Sequence, residues 1–210
     1  MESGRFYEQP TADSRRSAPA ALRNRAPIAA LLPGILPERG IVLEIASGTG
    51  EHSTFFAGLF PGLSWQPTDP DEGALASIRA WRAEVGLPNL CEPLKLDAAA
   101  PEWPVDRADA ILCINMVHIS PWAATLGLLD GAARLLLPGA PLVLYGPYRR
   151  AAVPTAASNE DFDRSLRARN PDWGLRDLES VNEEAEARGL RFERLFEMPA
   201  NNLTIVLRRL

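Results

Sequence analysis

The chain has 210 residues, 46% of them hydrophobic, and a formal net charge of −5. That is enough apolar chain to fill the core of one domain and too much for intrinsic disorder, while the acidic balance argues against broad binding to nucleic acid or acidic membranes, which positive charge drives. Apolar runs fall far short of the ~20 residues that cross a bilayer, and Met1 to Arg16 has no apolar signal core, so a cytoplasmic location is expected.

Residues 1–20 read as a flexible arm or lid, followed by one domain over 21–210. A helix is predicted over Pro19 to Leu32, ended by Pro33-Gly34. Ile41 to Ala46 is a short apolar run, as expected for a strand buried on both faces. The turn Ser47-Gly-Thr-Gly50 leads into a helix through Phe55, Phe56 and Leu59. Leu63 to Gln66 reads as a second strand stopped by Pro67, and Asp71 to Glu84 as a helix closed by Gly86. Leu90 to Leu96 and Asp109 to Ile114 are strands three and four. Ser120 is read as an N-cap and Pro121 as the first-turn proline of a helix that runs to Pro138-Gly139. Strand five is Pro141 to Tyr145. An insertion over about 151–174 carries a short helix with Ser158 as cap and Asp161 as its acid, and Leu175 to Arg188 forms a covering helix. Leu190 to Glu197 and Asn201 to Arg209 are joined too tightly for anything but antiparallel pairing. The whole is an α/β, doubly wound, Rossmann-like sheet with one antiparallel strand near an edge. Many of the 19 prolines, Pro67, Pro70, Pro101, Pro104, Pro121, Pro147 and Pro199 among them, follow strands at the carboxyl edge, where they stiffen loops.

Ligands of such sheets sit outside the carboxyl ends of the strands. There the Gly-rich turn lets backbone approach a ligand, and Asp69 and Asp97 stand at the ends of strands two and three, suited to ribose hydroxyls and an adenine amino group. Glu51 at the helix start and the missing third glycine of G-x-G-x-x-G argue against a dinucleotide diphosphate.

The segments VLEIASGTGEH (Val42 to His52), WQPTDPD (Trp65 to Asp71), DAILCINMVHISPW (Asp109 to Trp122), YGPYRR (Tyr145 to Arg150) and MPANNL (Met198 to Leu203) resemble a bacterial and animal family of class I S-adenosylmethionine-dependent methyltransferases, formerly a domain of unknown function. The resemblance runs from about Ser17 to the C-terminus. It implies a seven-stranded sheet of order 3-2-1-4-5-7-6 with strand 7 antiparallel, and S-adenosylmethionine as cofactor. It implies that Glu44 orients the methionine ammonium, and that Ala46, Ser47, Gly48 and Gly50 wrap the methionine and ribose. Asp69 and Pro70 would hold the ribose and adenine, Asp97 and Ala98 the adenine edge, and Asn115 and Met116 the region of the sulfonium. His52 falls on the cofactor side, and Asn24, within Arg23-Asn24-Arg25, in a lid. In that strand order Cys91 and Cys113 are too far apart for a disulfide and read as buried free thiols.

On the substrate side His118 has two readings: a base or hydrogen-bond partner, or a histidine packed against Ser120 and Trp122. Tyr145 and Tyr148 are the other catalytic candidates. Trp122, Arg149, Arg150, Asn201 and Asn202 are the substrate-binding candidates, the two arginines suggesting an anionic small molecule; Phe162 and Trp173 are candidate walls. No metal site is expected. The expected activity is methyl transfer to an oxygen or nitrogen of a small molecule. The alternatives are a non-catalytic S-adenosylmethionine-binding or interaction protein, and a nicotinamide-dependent oxidoreductase.

Overall fold

A computed structural model describes residues 14–210. In chain order it begins with α1 (Pro19–Leu31), β1 (Gly40–Ile45), α2 (Glu51–Leu59), β2 (Leu63–Asp69), α3 (Glu72–Val85) and β3 (Leu94–Lys95). Next come β4 (Ala110–Ile114), α4 (Trp122–Leu135), β5 (Pro141–Gly146), β6 (Tyr148–Arg149) and α5 (Ala157–Arg169). The chain ends with β7 (Arg176–Asp177), α6 (Leu178–Ala187), β8 (Leu190–Met198) and β9 (Asn202–Arg209). The main sheet has seven strands in the order β3-β2-β1-β4-β5-β9-β8, while β6 and β7 make a separate two-residue parallel pair. Without that pair, the order is the one the sequence led us to expect. Strands β3 to β5 run parallel, and β9 lies antiparallel to both β5 and β8.

The apolar runs become strands covered on both faces. Every residue of β4 and β5 is buried. On one face Val42, Ala110, Leu112, Ile114, Val143 and Tyr145 pack against Ile28 of α1 and Phe56 of α2. On the other, Ile45, Ile111, Cys113 and Leu144 meet Leu128 and Leu129 of α4 and Val181 of α6. The edge strand β8 is largely exposed and charged, with Arg191, Glu193 and Arg194 in its middle, which guards the free edge against pairing with other chains.

Local details depart from expectation for identifiable reasons. β2 does not stop at Pro67 but runs to Asp69. Along this strand Trp65 and Asp69 bond toward β3, through Asn89, Cys91 and Leu96. Pro67 has the same orientation, and it faces the gap between the isolated bridge at Leu90 and the start of β3 at Leu94. Its missing N–H therefore costs no ladder bond. The third strand shrinks to two residues because Pro93 interrupts it. Ser120 does not cap α4: its hydroxyl donates to the Met116 carbonyl, and the helix starts at Trp122 with Pro121 in the cap position. Ser158 is not a cap either, since α5 begins one residue earlier and runs 13 residues. Both cysteines are free, but only Cys113 is buried; Cys91 is half-buried ahead of β3.

The expected flexible arm over 1–20 lies outside the described residues up to position 13. Its remainder is pinned. The Ser17 hydroxyl and the Ala18 N–H donate to the Glu51 carboxylate at 3.0 and 2.7 Å, and the Arg16 N–H donates to the Ser77 hydroxyl at 2.8 Å. Glu51, which at the sequence level argued against a diphosphate, is thus the clamp that fixes the entry to α1.

Gly50 starts α2 with φ of +88°, and a Cβ there would stand 3.0 Å from the Ile78 Cα. Gly50→Ala meets both backbone strain and a backbone neighbour that cannot turn aside. A loss of about 2 kcal/mol or more in urea unfolding is expected; unchanged stability would show that the α2–α3 approach is slack.

Candidate active site

Two neighbouring strands leave the sheet through left-handed turns made by residues other than glycine: Ala46 after β1 has φ of 56° and Asn115 after β4 has φ of 60°. Such conformations persist only where the surroundings enforce them, and they concentrate at functional sites. Between and above these turns lies a cleft of about 680 Å³, the size of a small-molecule site. The segment Ala46–Thr49, Ile114, Asn115, His118 and Tyr145 form its floor, α1 its roof from Ala18 to Pro27, and Phe162, Pro147, Pro199 and Asn202 its far side.

Beneath the glycine-rich turn sits Glu44, 1% exposed, with Oε2 accepting from the Trp65 indole N–H at 2.5 Å. Burial pushes its carboxyl up to about 7; the hydrogen bond from Trp65 pulls the other way, and the Ser47 hydroxyl donates to the Glu44 backbone carbonyl. Ser47 thus stands between Glu44 and the cleft. Asp69 closes β2 with its carboxylate accepting from the Gly48 N–H and the Asp71 N–H, both at 2.9 Å. Burial raises it to about 6 against those bonds. The acid at the end of strand two therefore holds the turn in shape.

The roof is latched to the floor. Asn24 Oδ1 lies 2.6 Å from His52 Nε2, and burial raises the Tyr145 phenol above its ordinary value against the opposing influence of Asn24 and Arg23. Burial drives His52 down to about 4 and His118 down to about 3, so both are neutral near pH 7. His118 is buried, its ring edge-on to Phe162 with centroids 5.6 Å apart, and its Nδ1 has no hydrogen-bond partner among the described residues.

Of the expected site residues, Asn24, Ala46, Ser47, Gly48, His52, Asn115, His118, Tyr145 and Asn202 line one cleft. Others do not. Tyr148 points to the opposite face of the sheet, into the core shared by α4 and α6, with its hydroxyl buried and without a partner among the described residues. Trp122 packs against the same core and carries the Arg176 guanidinium 5.7 Å from its ring. Arg149 is bound by Glu160 and Asp163 at 2.5 and 3.1 Å, and Arg150 by Glu197 at 3.2 Å. These pairs correct the expectation that the two arginines hold a substrate anion. Asn201 lines a smaller neighbouring cavity of about 190 Å³ and is tied to Asn159 and Ser158. Trp173 lies outside the cleft lining, whereas Phe162 lines it. Pro70 and Asp97 are exposed, while Ala98 and Met116 are packed in the core; none of the four lines the cleft, and neither do Glu44, Gly50 or Asp69.

Thr49, within the expected Ala46 to Gly50 wrap, lines the cleft, and Ile119 and Asn159 line it without having been singled out. Asn159 had no sequence signal, being one polar residue in a polar helix. Arg23, noted only as a neighbour of Asn24, also lines it.

The architecture is that of the class I S-adenosylmethionine-dependent methyltransferase fold. Mitomycin 7-O-methyltransferase MmcR is similar over 91% of this chain and 54% of its own, with 22% identity and a TM-score of 0.78. An O-methyltransferase family 2 protein from Planctomyces limnophilus, in complex with apigenin, is similar over 91% and 60%, with 16% identity and a TM-score of 0.75. Human N-acetylserotonin methyltransferase, in complex with S-adenosylmethionine, is similar over 90% and 52%, with 12% identity and a TM-score of 0.73. The chain spans little more than half the length of these proteins. It belongs to the family described as protein of unknown function DUF938, which matches residues 15–209.

Proposed function

We propose that the protein transfers a methyl group from S-adenosylmethionine to an oxygen or nitrogen nucleophile of a small anionic molecule. The observation that carries this reading is the cleft flanked by the two strained turns at Ala46 and Asn115. The residues present suit the cofactor. Asp69 holds the turn at Gly48 and in this reading would also accept from ribose hydroxyls, Pro70, Asp97 and Ala98 would border the adenine, and Asn115 and Met116 stand at the end of β4. Glu44, buried beside Ser47, supplies the negative charge an ammonium group seeks. Bound there, S-adenosylmethionine contributes a methyl group activated by a sulfonium.

What the chain contributes is alignment and exclusion of water. A histidine held near 3 is too weak a base to take a proton at neutral pH. A buried N–H without an acceptor is rarer than a bare lone pair, so the unpartnered Nδ1 of His118 is assigned as the lone pair and Nε2 as the proton carrier. His118 thereby serves as a donor that positions the acceptor. Tyr145 joins it from β5, and Phe162, Ile119 and Pro147 keep the space dry. Acceptors that ionise on their own suit such a site.

The second reading, a binding protein without turnover, is favoured by this lack of a base. Thermal unfolding with S-adenosylmethionine, S-adenosylhomocysteine and NADH in parallel tests the common part. Either adenosyl ligand at 100 times its Kd is expected to add about 2.7 kcal/mol, and NADH nothing. No shift with either, in protein free of co-purified ligand, overturns both readings. Methyl transfer in an acceptor screen then separates them.

A further inference from the structure

Charge inside the cleft is one-sided. Among the described residues lining it, Arg23 is the one that is charged at neutral pH, since His52 and His118 are held neutral and no carboxylate faces in. Arg23 is exposed and has no carboxylate partner among the described residues. Its neighbours in sequence and type are spent: Arg25 lies over the Phe55 ring at 4.8 Å, and Arg149 and Arg150 are paired. An isolated cation in a concave, largely apolar site is the feature that selects an anion.

The position of Arg23 says which part of a bound pair it meets. It precedes Asn24, the residue latched to His52, and both Arg23 and Asn24 act on the Tyr145 phenol. Tyr145 lines the same cleft as Arg23 and Asn24. Tyr145 sits on β5, two strands from β1 in the sheet, roughly 10 Å from the turn that would carry the cofactor.

We propose that Arg23, with the Tyr145 hydroxyl beside it, is the receptor for a carboxylate on the methyl acceptor. This rests on the methyl-transfer reading. It also moves the anion site from the arginines after β5 to the roof helix. The methionine end of the cofactor carries a carboxylate as well, and the test separates the two sources.

Calorimetric titrations of wild type, Arg23→Gln and Arg23→Lys would use S-adenosylhomocysteine, methylthioadenosine (which lacks the amino-acid end), and benzoate added to protein saturated with S-adenosylhomocysteine. The expected result is adenosyl binding within threefold of wild type in both variants. Benzoate binding is expected to weaken at least tenfold in Arg23→Gln and to be largely kept in Arg23→Lys. Unchanged benzoate binding in Arg23→Gln overturns the proposal, as does its absence in wild type. Weakened binding of S-adenosylhomocysteine with methylthioadenosine unaffected assigns Arg23 to the cofactor carboxylate and overturns the acceptor assignment. A wild type that binds no adenosyl ligand overturns instead the reading on which this one rests.

Discussion

Glu44→Gln is expected to raise the stability of the free protein at pH 8 while weakening its binding of S-adenosylmethionine. The Glu44 carboxyl titrates near 7 in the folded chain against 4.5 as its ordinary value, with burial as the main cause. The folded state therefore keeps a proton that the unfolded chain has already lost. The stability this confers is full below 4.5 and is lost as pH rises through 7. By pH 8 the buried group is ionised without a cation, at a cost of roughly 3 kcal/mol. Glutamine keeps an oxygen for the Trp65 indole and removes the charge. Urea unfolding is expected to give a gain of about 3 kcal/mol at pH 8 and almost none at pH 4. Asp69 has the same slope and the two buried histidines the opposite one; the histidines cancel in the difference between variant and wild type, and the repulsion between Asp69 and Glu44 adds to the gain at high pH. Affinity for S-adenosylmethionine should fall at least tenfold, because the charge that is costly in the empty site is the one an ammonium would meet. An equal gain at both pH values would mean that Glu44 is not the titrating group.

The strands were legible because buried parallel strands write themselves as short apolar runs between glycines and prolines, while their order in the sheet came from the family resemblance. Strand ends were not, since they turn on pairing with segments distant in sequence. Pro67 reads as a stop until its nitrogen is seen to face a gap in β3, and Ser120 reads as a cap until the Met116 carbonyl claims its hydroxyl. The site divides the same way. The turn from Ala46 to Gly50 and its acid Asp69 form a local motif that the sequence carries whole. The acceptor side depends on which face of the sheet a residue takes and which partner reaches it first. Tyr145 and Tyr148 are three apart and end on opposite faces. Arg149 looked available until α5 brought Glu160 and Asp163 against it. The prolines divide as well: Pro147 and Pro199 border the cleft, joined by Pro19 and Pro27 from the roof, whereas Pro67, Pro70, Pro101, Pro104 and Pro121 do not line it.

Asp69→Ala should give the largest loss of adenosyl binding. The carboxylate, 6% exposed, accepts from Gly48 and Asp71 N–H groups at once, so alanine strips both donors of their acceptor. An orphaned buried donor costs about 1–3 kcal/mol, partly offset because the ionised acid is itself strained by burial toward a pKa of about 6. Net stability therefore changes little, and the damage falls on the turn. Gly48 holds φ of 60°, and the bond that fixes this geometry is gone together with the acceptor for ribose hydroxyls. Affinity for S-adenosylhomocysteine is expected to drop about 100-fold, equivalent to two lost charge-assisted hydrogen bonds. Asp69→Asn, which keeps one acceptor oxygen, should fall between. Methylthioadenosine makes the assignment specific. Glu44→Gln acts on the amino-acid end and leaves this ligand unaffected, whereas Asp69→Ala weakens it as severely as the homocysteine compound. Wild-type affinity of Asp69→Ala for methylthioadenosine would remove Asp69 from the nucleoside site and leave it a strut of the β1 turn.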